Sequence, residues 1–411
     1  MKAISRIALG ISLALAGGGL ALAPAIAKKQ AEESQTFKLS QPVQNNLAEA
    51  QKLIAAKDYV NAAPKIAAAQ AAITNEDDRF QVGAFKLNLG TLTNNPQLQS
   101  EGIDLAVQSG KGTTAQKKEL LHNQGALALQ AKNPAKAEAS FTQLVALDPN
   151  DTANVLTLAQ LKARNGKAAE AMQTVNQAIA TQKASGKPVP EDWLRTGLAI
   201  ANDTHSPMGT EIATELVAGY PNPTNWRDAL TVYRTANKLD GAANLDVMRL
   251  LRAAKALKGE SDYYEYASTA MTKGLPGEAK SVVEEGNASG AINASRPVFQ
   301  DVQALTGAKI AQDKGALPKL ESQAKSAPNG KLAANTADAY LGYKQYAQAT
   351  ALYRVALQKG GVDVPAVNTH IGIALALSGD KAGAQQAFGQ VTGPRAAIAK
   401  FWTIWLSQPA S

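Results

Sequence analysis

The chain contains no cysteine. A disulfide framework is therefore excluded, as are a thiolate nucleophile, a cysteine-based metal site and a cysteine-borne lipid anchor. Histidine is nearly as scarce, with His122, His205 and His370 the three in 411 residues. No two of them stand at the His-x3-His or His-Glu-x2-His spacing that puts two ligands on one metal, and none has a partner group at a spacing usable for catalysis. Paired carboxylates occur at Glu32-Glu33, Glu76-Asp77-Asp78 and Glu284-Glu285. They read as leader, turn and helix-end residues, because nothing in them points to two carboxyls tuned apart for acid–base work. There is no phosphate-binding glycine loop, since Gly17-Gly18-Gly19 lies in an apolar N-terminal segment, and no Gly-x-Ser-x-Gly elbow. Aromatic residues make up 5% and charged residues 18% of the chain, the latter below the usual ~25%. Gln and Asn supply much of the polar surface instead. The expectation is a protein with no catalytic residue, no metal and no cofactor.

The N-terminus is built differently. Lys2 and Arg6 are followed by an apolar, Gly- and Ala-rich stretch from Ile7 to Leu22, then Ala25-Ile26-Ala27 and Lys28-Lys29. That order predicts a secretory signal over residues 1–27, cleaved after Ala27, of the kind that exports proteins to the Gram-negative periplasm. The alternative is an uncleaved inner-membrane anchor facing the periplasm, since the apolar stretch approaches the ~18-residue lower range for spanning. No later stretch is long and apolar enough to span, so stable membrane insertion after cleavage is not expected. Residues 28–40 read as a flexible leader. The formal net charge is +8. This mild excess permits weak contact with an anionic polymer, lipid headgroup or acidic protein without demanding one. Nucleic acid is not an expected partner.

The rest of the chain is organised around Lys118 to Asp151, KELLHNQGALALQAKNPAKAEASFTQLVALDPND. Gly125 and Ala137 are small residues where two antiparallel helices must approach. Phe141 is placed to fill the gap to the next helix pair, and Pro149 ends the second helix. The pattern recurs at Gly166 and Ala171, at Ala349-x3-Tyr353, and at Gly372 with Ala384-x3-Phe388. Ala279-x3-Val283 and Ala62-x3-Ile66 fall in the same register. This G…A-x3-F…P spacing, with a period near ~34 residues, resembles the tetratricopeptide repeat. The resemblance implies an all-α fold: a right-handed superhelical solenoid of about ten antiparallel helix pairs plus a C-terminal capping helix.

Two blocks are expected, 41–184 and 191–406, joined by the breaker-rich Ala184-Ser185-Gly186-Lys187-Pro188-Val189-Pro190. The pairs are placed at 41–75, 77–110, two within 118–184, then one from Trp193, and at 224–258, 260–286, 297–327 and two within 333–392. Pro64 is expected in the first turn or so of its helix. Asn94-Asn95-Pro96 is expected to lengthen a turn, and Glu76 to Asp78 to lie between helices. The pair at 297–327 is set by spacing alone. A last helix, 394–406, has no partner of its own.

The family register places Glu119, His122, Ala126, Gln160, Arg164 and Asn202 toward the concave groove. The family's carboxylate clamp does not carry over, because His122 and Ala126 stand where Lys and Asn would be needed. Arg249, Arg252, Lys255 and Lys258 recur every three residues, a slanting stripe since three residues turn about 300°. It reads either as a docking face for an acidic partner or as a solvated outer face. In the last helix Ile398, Phe401, Trp402 and Trp405 share one side. They read as a cap over the final repeat or, for Trp402 and Trp405, as an aromatic anchor for a partner. The resemblance implies a non-catalytic scaffold for protein–protein interaction, in the periplasm if the signal is read correctly. The alternatives are an accessory subunit of an envelope secretion, outer-membrane or polysaccharide-export complex, and a peptidoglycan-acting enzyme.

Overall fold

The computed structural model describes residues 37–408, which form α-helices joined by short turns, with no strand among the described residues. The segment 1–27 and most of the 28–40 leader lie outside the described residues. The chain divides between Thr181 and Gln182 into two compact units.

Unit 1 holds four helix pairs: α1 (Gln41–Ala55) with α2 (Tyr59–Ala71), α3 (Glu76–Leu92) with α4 (Pro96–Gln108), α5 (Thr114–Gln130) with α6 (Pro134–Leu147), and α7 (Thr152–Arg164) with α8 (Ala168–Ala184), whose last residues pass the boundary. One local device makes every hairpin. Lys57, Asn94, Lys132 and Gly166 each take a left-handed φ, of 60°, 49°, 55° and 77°. The next residue then returns its N–H to a carbonyl five back, as Asn133 N does to Ala128 O at 2.8 Å. This is the Schellman closure, which satisfies carbonyls the helix end leaves open. Asp58, Asn95 and Asn133 at once cap the following helix with their side chains. The Asn94-Asn95-Pro96 turn is therefore no longer than its neighbours. Asn94 takes the left-handed position and Asn95 caps.

Small residues set the spacing as expected. A Cβ on Gly125 would lie 2.6 Å from the Phe141 ring, and Ala137 is wholly buried. Phe141 packs in one cluster with Leu121 and Ala137 of its own pair and with Leu158 and Leu161 of the next. In α3 and α4 the backbones themselves touch, for a Cβ on Gly83 would meet Gly102 O at 2.7 Å. Two expectations are corrected. Pro64 lies inside α2, not in its first turn, on an exposed side. Glu76 to Asp78 form the first turn of α3 behind an Asn75 cap. Asp78 is fully buried and accepts from Ser40 N, Ser40 Oγ, Thr74 N and Thr74 Oγ1 at 2.8–3.0 Å. Burial opposes its charge, but these four hydrogen bonds hold its carboxyl below the ordinary range. They fix the start of α1 against that of α3.

Unit 2 continues with α9 (Glu191–Asp203), α10 (Gly209–Gly219), α11 (Pro223–Ala236), α12 (Gly241–Ala253), α13 (Gly259–Thr272) and α14 (Pro276–Ala288). Next come α15 (Pro297–Ser326), α16 (Lys331–Gly342), α17 (Tyr346–Lys359), α18 (Val364–Ser378), α19 (Lys381–Phe388), a 3-10 turn at Gly393–Arg395 and α20 (Ala396–Ser407). The region expected to hold a pair at 297–327 is one unbroken 30-residue helix, α15. No residue between Pro297 and Ser326 adopts the left-handed φ that makes the hairpins of unit 1, and Pro318 is carried inside the helix. Nine pairs result among the described residues, with α15 and α20 unpaired. The C-terminal helix packs on α18 and α19 as a cap on the last repeat would, but it also touches α10 and α12.

Candidate functional site

Beside its hydrophobic core, unit 2 holds a buried cluster of charged side chains. Asp240 caps α12 by accepting from Ala242 N and Ala243 N, each at 2.8 Å. One face of α12 then presents Asp246 and Arg249, a helical neighbour pair, to the inside. Asp246 is 0% and Arg249 4% exposed. The Arg249 guanidinium donates Nε and Nη2 to the two Glu278 oxygens at 2.8 and 2.7 Å, and Nη1 to Asp246 Oδ1 at 2.9 Å. Tyr266 donates to Glu278 Oε1 at 2.8 Å. Arg395 of the 3-10 turn donates Nη1 to Asp246 Oδ2 at 2.5 Å.

His370, the one ionisable residue of α18, completes the set. Its Nδ1 lies 2.8 Å from Asp338 Oδ1, and Tyr353 donates to the same oxygen at 2.5 Å. Its Nε2 lies 3.2 Å from Asp246 Oδ1 but out of hydrogen-bonding alignment, so that contact is Coulombic. Burial works against the imidazolium, yet the carboxylates of Asp246 and Asp338 push its pKa up to about 9. Burial also works against the Asp246 carboxylate, and the cations of His370, Arg249 and Arg395 bring it down to about 2. With His370 protonated, three carboxylates (Asp246, Glu278, Asp338) meet three cations (Arg249, Arg395, His370). Buried charges persist when paired in this way. The groups are turned on one another, and the network joins α12, α13, α14, α16, α17, α18 and the 3-10 turn.

A half-open cleft of about 330 Å³ lies against this network, with Arg249, Tyr266 and Glu278 in its wall. Arg252, Lys255, Glu285, Lys344, Tyr346 and Leu377 also line it. Arg252 is half-buried and held in place, donating Nε to Glu285 Oε2 and Nη2 to Ser281 Oγ, both at 2.8 Å. Lys255 and Lys344 are exposed, both in left-handed turn positions.

The residues singled out from sequence are not gathered in one place. His122, Gln160 and Arg164 are exposed on unit 1. His122 has Nδ1 3.4 Å from Asn154 Oδ1 and its ring edge-on to Phe141 at 5.9 Å. Asn202 is half-buried near the end of α9 in unit 2. The basic stripe does not exist as a face. Arg249 is inside, Arg252 is in the cleft, and α12 ends at Ala253, before Lys255 and Lys258. The cause is that desolvation of Arg249 is offset by Glu278 and Asp246, which turns this side of α12 inward. Trp402 is fully buried and Trp405 half-buried. Trp402 is thus core, stacked on Phe388 at 6.1 Å, and not an exposed anchor. Asp246, Glu278, Asp338, His370, Arg395, Lys344 and Tyr346 went unsingled as site residues. One signal was present: a lone His within VPAVNTHIGIALALS, a run with no other ionisable group.

Residues 128–185 match the family model described as tetratricopeptide repeat. No curated protein matches the sequence. Among solved structures, a tetratricopeptide repeat protein from Parabacteroides merdae shares 13% identity over 71% of this chain and 100% of its own, with a TM-score of 0.26. A chain of Naa15/Naa10 bound to HypK-THB shares 15% identity over 84% of this chain and 62% of its own, with a TM-score of 0.29. One from the APC/C hetero-tetramer Cut9-Hcn1 shares 13% over 90% and 97%, with a TM-score of 0.21. At these TM-scores no argument about this chain follows from the three likenesses.

Proposed function

We propose that this chain, whose residues 128–185 match the tetratricopeptide repeat model, is an exported, non-catalytic repeat scaffold that docks an acidic segment of an envelope protein. Such repeats generally serve protein–protein interaction. The observation that carries the reading is the unit 2 cleft. Its ~330 Å³ is at the small end for ligand pockets, and it suits one or two side chains of a longer segment better than a whole cofactor. Its basic side chains, Arg252 and Lys344 among them, outnumber the carboxylates Glu278 and Glu285, to which Arg249 and Arg252 are paired, and Tyr346 and Leu377 add apolar walls. The ion network behind it is already ordered, which lowers the entropic cost of binding. Support for export is the sequence at Lys2, Arg6, Ile7 to Leu22 and Ala25-Ile26-Ala27. A periplasmic home follows from that reading, and a role as accessory subunit of an envelope complex differs from it only in the partner.

The test is a crosslinking pull-down of the tagged protein from the envelope of its own host, run beside the Arg252→Glu/Lys344→Glu double variant. One or a few stoichiometric envelope proteins, lost with the variant, are expected. Recovery of a glycan or lipid polymer alone, or equal capture by the variant, overturns the docking assignment. The N-terminal residue of the purified protein, expected to be Lys28, tests the export assignment separately.

A further inference from the structure

Unit 2 closes on itself through α20. In a repeat array each pair touches only its neighbours, yet α20 touches α10 and α12 as well as α18 and α19. The Phe401 ring lies 5.3 Å from Tyr233 and 6.3 Å from Trp226, edge to face. Gln408, just past the helix, accepts from Trp226 Nε1 at 3.1 Å and donates to Val217 O at 3.0 Å, the first of these contacts spanning 182 positions. Both groups it meets lack an obvious alternative. The Val217 carbonyl is near the end of α10, and the residue four on is Pro221, which has no N–H to give it. Trp226 is 2% exposed, so its indole N–H is removed from water. A carboxamide is the side chain that can donate to the one and accept from the other.

These features are those of a receptor and its ligand on one chain. We propose that α10 and α11 form a helix-binding site for an amphipathic aromatic helix followed by a carboxamide, and that α20 with Gln408 is its occupant in cis, a releasable clasp on unit 2. This site is separate from the cationic cleft, and the proposal stands or falls apart from the docking role given to that cleft.

The test uses the full chain carrying Phe401→Ala and Gln408→Ala, which weaken the clasp, and a labelled synthetic peptide of residues 393–411. The variant is expected to bind the peptide saturably and at least about ten-fold tighter than the wild-type chain, where the cis helix competes. Binding should restore hydrogen-exchange protection over residues 209–236, and a peptide carrying the same two substitutions should not bind. A folded, helical variant that ignores the peptide overturns the proposal, as does a wild-type chain that binds it equally well. Should the variant fail to fold, native-state exchange on the wild-type chain decides. The amides of α20 are expected to open together with those of α10 and α11, below the free energy of global unfolding. Exchange of α20 only through global unfolding overturns it.

Discussion

Asp246 is the residue on which the interior of unit 2 depends. It takes charge from Arg249, Arg395 and His370, on three different elements, with none of its own surface exposed. Asp246→Ala would leave Arg395 without its buried carboxylate, and Arg249, Arg395 and His370 with only Glu278 and Asp338 to balance them. Breaking a buried pair of this kind costs about 3–5 kcal/mol, and a thermal or urea melt should show the loss. The same network sets a pH dependence. The His370 pKa is raised from 6.5 to about 9 on folding. Its contribution is therefore fully present below pH 6.5 and is lost as pH rises through 9. Asp246 is depressed from 3.8 to about 2, so its contribution holds above pH 3.8 and is lost as pH falls through 2. Stability of unit 2 should thus decline between pH 6.5 and 9, and His370→Gln should flatten that alkaline limb. A variant whose melting temperature follows the wild-type curve through this range would refute the assignment.

At the scale of the element, the hairpins were legible and α15 was not. Lys57-Asp58 and Lys132-Asn133 each combine a left-handed residue with a helix cap, two jobs decided by neighbours in sequence, whereas at Asn94-Asn95 the place of the turn was legible and its length was not. Ala137, Phe141 and Gly125 were readable for the same reason, since both helices of the pair lie within one repeat. The pair expected at 297–327 rested on spacing alone, and both Gly307 and Gly315 stay helical within α15. The basic stripe failed because helical spacing gives an angle and not a side. Which way Arg249 faces is decided by Glu278, on another helix pair. Within α5 and α6 the contact itself can be measured. Phe141→Ala should cost about 3–5 kcal/mol. Gly125→Val should cost about 1–3 kcal/mol by overpacking, because its side chain enters the space of the Phe141 ring. The two changes should be strongly non-additive, with Gly125→Val milder once Phe141 is truncated. Additive losses in denaturant melts would show that the ring and the glycine do not share that space.

For the molecule as a whole, the two units should lose structure differently. Unit 1 is built from contacts between neighbouring pairs, so its hydrogen exchange should be graded along the array. Unit 2 has Asp246 joined to Arg395 across 149 positions and Val217 joined to Gln408 across 191. Contacts of that span tie distant pairs together, and Asp246→Ala should speed exchange in α12 and in α18 alike while leaving α5 and α6 unchanged. An effect confined to α12 would argue against closure. These long links are what sequence could not supply: a repeat period reports on neighbours, and nothing in FWTIW names Trp226 or Tyr233 as its counterpart.

The Trp226–Gln408 contact also sets a clock. Synthesis at roughly 5–20 residues per second places Gln408 on the order of ten seconds or more behind Trp226, which it follows by 182 positions. Through that interval α10 and α11 exist without α20. The Val217 carbonyl and the Trp226 indole then have water, or a holding protein, as their only partners. A growing chain therefore displays an aromatic surface that the finished protein conceals.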